Sequence, residues 1–190
     1  MNAGLILAAG EGARFGERSK LLPDLGGRPL LEHAIGAQCA VDEIDPIVVV
    51  LGAHAAELMA SVNFMRAEPV VCEEWREGMA SSLRRGARAL DGAERVIVTL
   101  GDQPLVSSEV LARFIDAAPG TRASYDGRPG HPVVFGPEQL RAVHELRGDR
   151  GARELLDNAA AIECGQICCG RDVDTQSDLE AIRDSVRAIL

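Results

Sequence analysis

The apolar run Leu5–Ala9 and the glycine-rich segment directly after it constrain the fold of this chain more than any other feature. The run is short enough to form one buried strand. Gly10, Gly12 and Gly16 then permit backbone angles that are closed to other residues, and they let a ligand approach the main chain closely. We therefore expect a strand, a tight loop and a ligand site near the N-terminus.

Two cations, Arg14 and Lys20, lie in and just after that loop. Backbone N–H groups of a glycine-rich loop and nearby cations can together cradle a phosphate chain. The loop has no Gly-Lys-Ser/Thr ending and no G-x-G-x-x-G spacing, so it matches neither the P-loop nor the dinucleotide fingerprint. A tight turn with surface basic residues is the alternative. The coincidence of strand, glycines and cations favours phosphate binding.

Apolar runs alternate with helical patterns through the first half of the chain. The runs lie at 5–9, 47–51, 69–72 and 95–100, with helical patterns at 30–40, up to about 63, and at 79–90. Such alternation predicts βαβ units and a mostly parallel sheet with right-handed crossovers. In the second half, two strands at 122–125 and 131–135 around a glycine–proline turn predict a small β insert. Further helices are expected at 137–146, up to about 158, and from 177 onward.

Composition limits the class of protein. The chain has 190 residues, 46% of them apolar, which fits a single globular domain over residues 1–190. Its net charge of −9 argues against a nucleic-acid-binding surface. The N-terminal apolar run lacks a basic flank and breaks at Gly10, so it predicts neither a signal peptide nor a membrane span. We expect a cytoplasmic protein.

The five cysteines support that location. Their number is odd and their spacing matches no disulfide framework, which is typical of reduced thiols. Cys164, Cys168 and Cys169 are close enough in sequence to suggest a metal site, but no second cysteine pair or histidine lies nearby. Structural thiols are therefore the favoured interpretation.

Two aspartates are candidate metal ligands. Asp102 follows the apolar run 95–100, and in a parallel sheet the loops at the strand ends meet. A carboxylate that faces a phosphate-binding loop requires a cation between the two, and Mg²⁺ fits because it binds one or two carboxylates together with phosphates. Asp102 could instead be a turn residue, and Asp174 could cap the last helix. Together the two aspartates could complete a metal site.

Six segments of the chain resemble, in order, the nucleotidyltransferases that include molybdopterin cytidylyl- and guanylyltransferases, and the cytidylyltransferase branch most of all. The resemblance extends over almost the whole chain. The segments are LAAGEGARFG with a following Lys at 7–20, WREGMASSL at 75–83, GDQP at 101–104, GHPVVF at 130–135, GDRGAR at 148–153 and DVDTQSDL at 172–179.

The resemblance implies a Rossmann-like nucleotidyltransferase fold, a three-layer α/β/α arrangement. It implies Asp102 and Asp174 as Mg²⁺ ligands, and Arg14, Lys20 and Asp102 as the catalytic residues. Ser82 is the favoured of two serines at the base or ribose, and Ala9 favours CTP over GTP because guanylyltransferases tend to have a second glycine there. The implied nucleotide-binding residues are Leu7, Ala8, Ala9, Gly10, Gly12, Arg14, Phe15, Gly16, Lys20, Gly78, Ser81, Ser82 and Gly101.

The reaction implied is attack by the terminal phosphate of molybdopterin on the α-phosphorus of CTP, with release of pyrophosphate. Because the nucleophile belongs to the substrate, no protein side chain has to act covalently. His131, in a Gly-His-Pro segment, either contacts the pterin or is a turn residue bonded to the backbone. The resemblance also suggests a molybdenum hydroxylase, or its maturation factor, as a partner.

Several alternatives remain at this point. The nucleotide could be GTP, or the acceptor another phosphorylated compound such as methylerythritol phosphate, a sugar phosphate or phospholactate. The chain could serve mainly as a maturation partner that hands cofactor to a molybdenum hydroxylase. It could also be an oxidoreductase, because some dye-reducing enzymes have been grouped with similar sequences. The missing dinucleotide fingerprint argues against that last possibility.

Overall fold

The structure is a computed structural model that describes residues 2–16, 18–156 and 160–187. The strands, in chain order, are β1 (Asn2–Ala8), β2 (Asp24–Leu25), β3 (Arg28–Pro29), β4 (Ile44–Leu51), β5 (Glu68–Val71), β6 (Arg95–Leu100), β7 (Arg122–Tyr125), β8 (Arg128–Phe135) and β9 (Ala161–Glu163). The helices are α1 (Leu30–Cys39), α2 (Ala55–Ser61), α3 (Met79–Ala89), α4 (Ser108–Ala112), α5 (Pro137–Val143) and α6 (Gln176–Arg187). Short 3₁₀ turns cover Trp75–Glu77 and Ala152–Leu155.

One seven-stranded sheet organises the molecule, with strand order β5-β4-β1-β6-β8-β7-β9. Strands β5, β4, β1 and β6 run parallel, whereas β8 is antiparallel to both β6 and β7. Strand β9 pairs with β7 in parallel, and β2 with β3 forms a separate two-stranded ribbon. The predicted mostly parallel sheet with a β insert in the second half is confirmed.

Alternation along β1 explains the three layers. Ile6 belongs to a buried cluster that contains Leu31 of α1, whereas the adjacent Leu5 belongs to a second cluster with Leu83 of α3. Successive strand residues point to opposite faces, so a strand that is apolar at every position must be covered on both. Helices α1, α2, α4 and α6 pack on one face, and α3 and α5 pack on the other.

The strand register determines where the loops meet. Leu7 of β1 lies opposite Val50 of β4 on one side and Leu100 of β6 on the other. The three central parallel strands therefore end at the same level. Their following loops converge at one edge of the sheet, where ligands bind in open α/β folds.

The hairpin of the insert has a shorter turn than expected. The turn lies within the predicted segment 126–130 and consists of Asp126 and Gly127, with φ of 51° and 76°. Two-residue hairpins of this kind need positive φ at both central positions, which Asp-Gly supplies. The strand expected from residue 131 therefore begins earlier, at Arg128, and His131 lies inside β8 rather than in a turn.

Some short elements were not predicted. Helix α4 has few residues and no helical periodicity to reveal it, yet it buries Val110 and Leu111 in the core. Beyond the 3₁₀ turn at Ala152–Leu155, the end of the helix expected up to about 158 lies outside the described residues.

All five cysteines are free thiols. Within the described ranges, none of the helices combines the length and apolar character needed to cross a bilayer.

Candidate active site

A cavity of about 760 Å³ opens at the edge of the sheet where β1 and β6 end. The loop after β1, the start of α3, the loop after β6 and the segment before α6 contribute to its wall. Arg14, Lys20, Asp102 and Asp174 are in mutual contact at one part of the wall, whereas Gly78 and Ser82 lie at the start of α3. The arrangement brings together segments that are far apart in sequence.

Lys20 is the centre of the charged part of the wall. Its Nζ donates hydrogen bonds to Oδ2 of Asp102 at 2.6 Å and to Oδ1 of Asp174 at 2.7 Å. Burial by itself would lower the pKa of Lys20, but attraction and hydrogen bonds to the two carboxylates outweigh it and raise that pKa. The hydrogen bond from Lys20 is also the main reason that the pKa of Asp174 is lowered. Lys20 and Asp174 are therefore both charged near neutral pH.

Arg14 contacts the same site from its exposed rim. Its Nη2 donates to Oδ2 of Asp174 at 2.7 Å, and its side chain is 74% exposed. An ion pair this exposed contributes little to the free energy of folding. It does place a guanidinium at the cavity mouth.

Asp102 has one oxygen with no partner. Oδ1 is buried and accepts no hydrogen bond within the described part of the chain. Buried carboxylate oxygens normally have a donor or a cation nearby, so this atom fits a bound ion. The described residues contain no group of three or more His, Cys, Asp or Glu side chains placed to hold a metal. Asp102 and Asp174 could hold Mg²⁺ if phosphates and waters completed its shell.

Two hydrogen-bonded links hold Asp102 against the segment before α6. The backbone N–H of Val173 donates to the carbonyl of Asp102 at 2.9 Å. Gln103 Nε2 donates to Oδ1 of Asp172 at 2.6 Å and to the carbonyl of Gly170 at 3.2 Å. Burial is the main cause that raises the pKa of Asp172, and the neighbouring carboxylates add to it.

Asp174 does not cap α6, although the sequence left that possibility open. Thr175 Oγ1 accepts from the backbone N–H of Asp178 at 3.2 Å, and the Asp178 carboxylate accepts from the backbone N–H of Thr175 at 2.8 Å. This reciprocal pattern is a capping box. The backbone N–H of Asp174 also donates to Asp178, at 3.2 Å, so the cap orients Asp174 toward Lys20.

Gly12 and Gly52 allow close approach within the site. Gly12 has φ of 65°, and a Cβ there would lie 3.1 Å from Cγ of Lys20. Glycine at this position therefore leaves space for the lysine side chain. A Cβ on Gly52 would lie 2.4 Å from the carbonyl oxygen of Ala9, a residue that lines the cavity.

The start of α3 forms another part of the wall. Both serines are buried, but Ser82 lines the cavity, whereas Ser81 donates from Oγ to the carbonyl of Gly78 at 2.8 Å. Gly78 has φ of 100°, and a Cβ there would lie 2.4 Å from the Gly148 backbone. This contact brings the neighbouring Asp149 to the cavity.

Most of the implied site residues come together here. Those that line the cavity are Leu7, Ala8, Ala9, Gly10, Gly12, Arg14, Lys20, Gly78, Ser82, Asp102 and Asp174. The wall, as far as described residues form it, does not include Phe15, Gly16, Ser81, Gly101 or His131.

Packing explains three of these exceptions. Phe15 is buried in the core beneath the loop. Gly101 packs behind the cavity, where a Cβ would lie 2.8 Å from Leu31. His131 lies in β8, its carbonyl accepts from the hydroxyl of Tyr125 at 2.6 Å, and burial lowers its pKa to about 4. It is a neutral structural histidine at neutral pH.

Residues 4–163 match the model of the MobA-like NTP transferase domain. The chain belongs to that family. A relative with 34% identity over 187 residues, covering 90% of this chain and 91% of the relative, is named nicotine blue oxidoreductase of Paenarthrobacter nicotinovorans. Purine catabolism protein PucB of Bacillus subtilis is 28% identical, with 95% of each chain covered. Bifunctional protein GlmU of Paracoccus denitrificans is 36% identical over 80% of this chain, but this chain spans only 35% of that protein.

Solved structures agree on the fold. A nucleotidyl transferase from Methanothermobacter has a TM-score of 0.85 at 25% identity, with 100% of this chain and 99% of the other covered. Rv0371C of Mycobacterium tuberculosis H37Rv in complex with manganese has a TM-score of 0.80 at 27% identity, with 97% and 98% covered. The protein is a MobA-like nucleotidyltransferase with the α/β fold of these neighbours.

The cavity of this MobA-like chain includes residues that the sequence analysis did not assign. Arg76 stacks over the ring of Trp75, 4.3 Å from its centroid, at the wall near α3. Asp149 and Asp172 add two more carboxylates. All four lie within segments that carry the resemblance, so proximity to those segments was the available signal. The other unassigned lining residues are Glu11, Ala13, Leu21, Met79 and Leu100.

Proposed function

We propose that this MobA-like nucleotidyltransferase transfers CMP from CTP to the terminal phosphate of molybdopterin and releases pyrophosphate. The observation that supports this most is the convergence of Arg14 and Lys20 with Asp102 and Asp174 at one part of the cavity wall. Cations and carboxylates in direct contact, beside a glycine-rich loop, suit a triphosphate together with a metal ion.

The chemistry requires that two anionic groups be brought together. Lys20 and Arg14 would bind the departing pyrophosphate and offset the charge that develops on it. Asp102 and Asp174 would bind Mg²⁺, which when present neutralises phosphate charge and helps to hold the phosphates in line. The protein thus contributes position and charge rather than a nucleophile.

A divalent ion is supported by a relative and by the donor set. Rv0371C, which is 27% identical, was crystallised in complex with manganese. The two aspartates offer oxygen ligands, and the buried Oδ1 of Asp102, which has no partner in the described ranges, is available to a cation. We propose Mg²⁺ because it retains waters and accepts substrate phosphates as ligands.

The base would lie at the wall formed by the end of β1 and the start of α3. Gly78 and Ser82 line that wall and offer a small, polar surface to a planar base. Ala9 also lines the cavity, at the position where the resemblance implies a second glycine in guanylyltransferases. This is the reason for proposing CTP rather than GTP.

Molybdopterin is proposed as the acceptor because of the resemblance in all six segments. The product would then pass to a molybdenum hydroxylase or its maturation factor.

Lys20→Ala and Asp102→Ala should each lower turnover by about a hundredfold or more, because each removes a charge next to the phosphates. Arg88→Gln is the control, since it removes one exposed positive charge outside the cavity wall.

The test has two steps. Melting temperatures are first measured with each of the four nucleoside triphosphates and Mg²⁺, because a ligand that binds only the folded state raises stability. CTP should give the largest rise. Pyrophosphate release from CTP is then measured with molybdopterin and with a panel of phosphorylated acceptors. Release with another acceptor, but not with molybdopterin, would contradict the proposal.

Oxidation–reduction is a second candidate, because the 34% identical relative is named nicotine blue oxidoreductase. The glycine-rich loop of this chain does not have the dinucleotide fingerprint, which weighs against it. NADH- and NADPH-dependent reduction of a blue heteroaromatic dye can be followed by loss of colour. Dye reduction without any nucleotide transfer would favour this candidate.

A further inference from the structure

We propose that the Lys20 ammonium group occupies the divalent-metal site between Asp102 and Asp174 until a bound nucleoside triphosphate takes over as its partner. Metal and nucleotide then bind cooperatively. The proposal rests on the proposed function, in that Asp102 and Asp174 are taken as metal ligands. It concerns how the metal and the nucleotide affect each other's binding, which the proposed reaction leaves open.

Lys20 makes contact with both carboxylates at once. Its Nζ is 2.6 Å from Asp102 Oδ2 and 2.7 Å from Asp174 Oδ1. A magnesium ion would need to lie about 2.1 Å from such oxygens. An ammonium group and a divalent ion cannot both bridge this pair, because they would occupy the same space and repel each other.

The ammonium neutralises the pair only in part. It satisfies Oδ2 of Asp102 and leaves Oδ1 buried, with no hydrogen-bond donor among the described residues. The side chains of Lys20 and Asp102 are 13% and 18% exposed, so water screens their interaction poorly. Lys20 therefore acts as a partial substitute for a divalent ion and not as its equivalent.

The lysine also has an alternative anionic partner in reach. Its side chain runs past Gly12, where an added Cβ would lie 3.1 Å from Cγ of Lys20. Gly12 and Gly10 belong to the loop that would hold the triphosphate. A lysine has a flexible stem and a compact charge, so it can exchange a carboxylate for a phosphate by rotation of its side chain.

Cooperativity follows from this exchange. A triphosphate that binds Lys20 releases both carboxylates for the metal, and the metal in turn keeps Lys20 on the phosphates. By linkage, each ligand must then tighten the binding of the other by the same factor. Measured couplings between close charge pairs imply an effect of at least about tenfold.

The test measures Mn²⁺ binding by electron paramagnetic resonance to the wild-type chain and to Lys20→Met, first with no nucleotide. Lys20→Met should bind Mn²⁺ at least about tenfold more tightly, because no ammonium then bridges the two carboxylates and only the exposed Arg14 still contacts Asp174. Lys20→Gln, which retains hydrogen-bonding capacity but has no charge, should change in the same direction. Circular dichroism melting shows that each variant is folded at the temperature of the titration.

Arg14→Gln is the matched control. It removes the same charge from Asp174 but leaves the contact between Lys20 and Asp102 intact. Its Mn²⁺ affinity should rise much less than that of Lys20→Met. Equal gains for the two variants would mean a general charge effect, and equal or weaker Mn²⁺ binding by both folded Lys20 variants would overturn the proposal.

The titrations are then repeated with CTP. In the wild-type chain CTP should strengthen Mn²⁺ binding at least about tenfold, and in Lys20→Met the gain should be much smaller. Because the first titrations contain no nucleotide, they test the competition by Lys20 alone. If they succeed and no nucleoside triphosphate strengthens Mn²⁺ binding to the wild-type chain, the proposed nucleotide function fails, and the cooperative part of this inference fails with it.

Discussion

At the scale of single residues, surroundings decide what a titratable side chain does. Lys20 and His131 are both partly buried, yet one lies against two carboxylates and stays charged. His131 lies in β8, where burial lowers its pKa to about 4 and no charged group of the described residues offsets that effect. The first can act on phosphates, whereas the second contributes to the stability of the fold.

His131 should make the free energy of unfolding depend on pH. Its pKa is about 4 in the folded chain and about 6.5 when unfolded, so between these values the unfolded state binds more protons. Stability is therefore fully present above about pH 6.5 and falls as the pH is lowered toward 4. His131→Gln should reduce this slope by up to about 1.4 kcal/mol per pH unit.

Urea unfolding of wild type and His131→Gln at several values between pH 7 and pH 4 measures the slope. The values at pH 7, where His131 is neutral in both states, give the effect of the substitution on packing. An unchanged slope in the variant would mean that His131 is protonated in the folded chain as readily as in the unfolded one.

At the scale of elements, the contact of α3 with the sheet positions one wall of the cavity. Gly86 lies in the middle of α3, directly over Leu5 of β1. A Cβ at Gly86 would lie 2.4 Å from Cδ1 of Leu5, which is itself fully buried. The helix can therefore approach the strand closely only because this residue has no side chain.

Gly86→Ala should destabilise the chain by about 1–3 kcal/mol, since overpacking outweighs the better helix propensity of alanine. Gly36→Ala on α1 is the matched control, because a Cβ there meets its nearest atoms at 3.5 Å or more. The control should be neutral or slightly stabilising. Thermal or urea unfolding of both variants measures the difference, and equal stability of the two would refute the packing argument.

At the scale of the whole molecule, the site depends on links between distant parts of the chain. Gln103 is 4% exposed and joins the loop after β6 to Asp172 and Gly170, which are 69 and 67 residues away. These bonds fix the position of the segment that leads into Asp174. A buried link of this kind determines the distance between the two candidate metal ligands.

Gln103→Leu should cost about 1–3 kcal/mol of stability, because it leaves buried polar groups without a donor. It should also raise the concentration of Mg²⁺ or Mn²⁺ needed for half-maximal pyrophosphate release, since Asp174 is less well positioned. Gln139→Leu, on α5 away from the cavity, provides a comparison for the same substitution. A lower melting temperature with an unchanged metal requirement would show that Gln103 supports the fold and not the site.

The sequence by itself determined the parallel sheet, because apolar runs and helical periodicity are local patterns that burial imposes. It also identified Arg14, Lys20, Asp102 and Asp174 as candidates, through their segments. It could not place the hairpin turn at Asp126 and Gly127 within the predicted turn segment, and it missed the short helix α4, because both depend on packing. The single domain over 1–190 stays a prediction.

Only the tertiary structure decided that Lys20 joins two aspartates that lie 82 and 154 residues further along the chain. No local pattern encodes such a contact, since it depends on strand order, on register and on the cap that holds Asp174. The ion pairs formed there keep Lys20 and Asp174 charged and decide which oxygen of Asp102 is left for a cation. The contacts between these charges are thus a property of the folded chain.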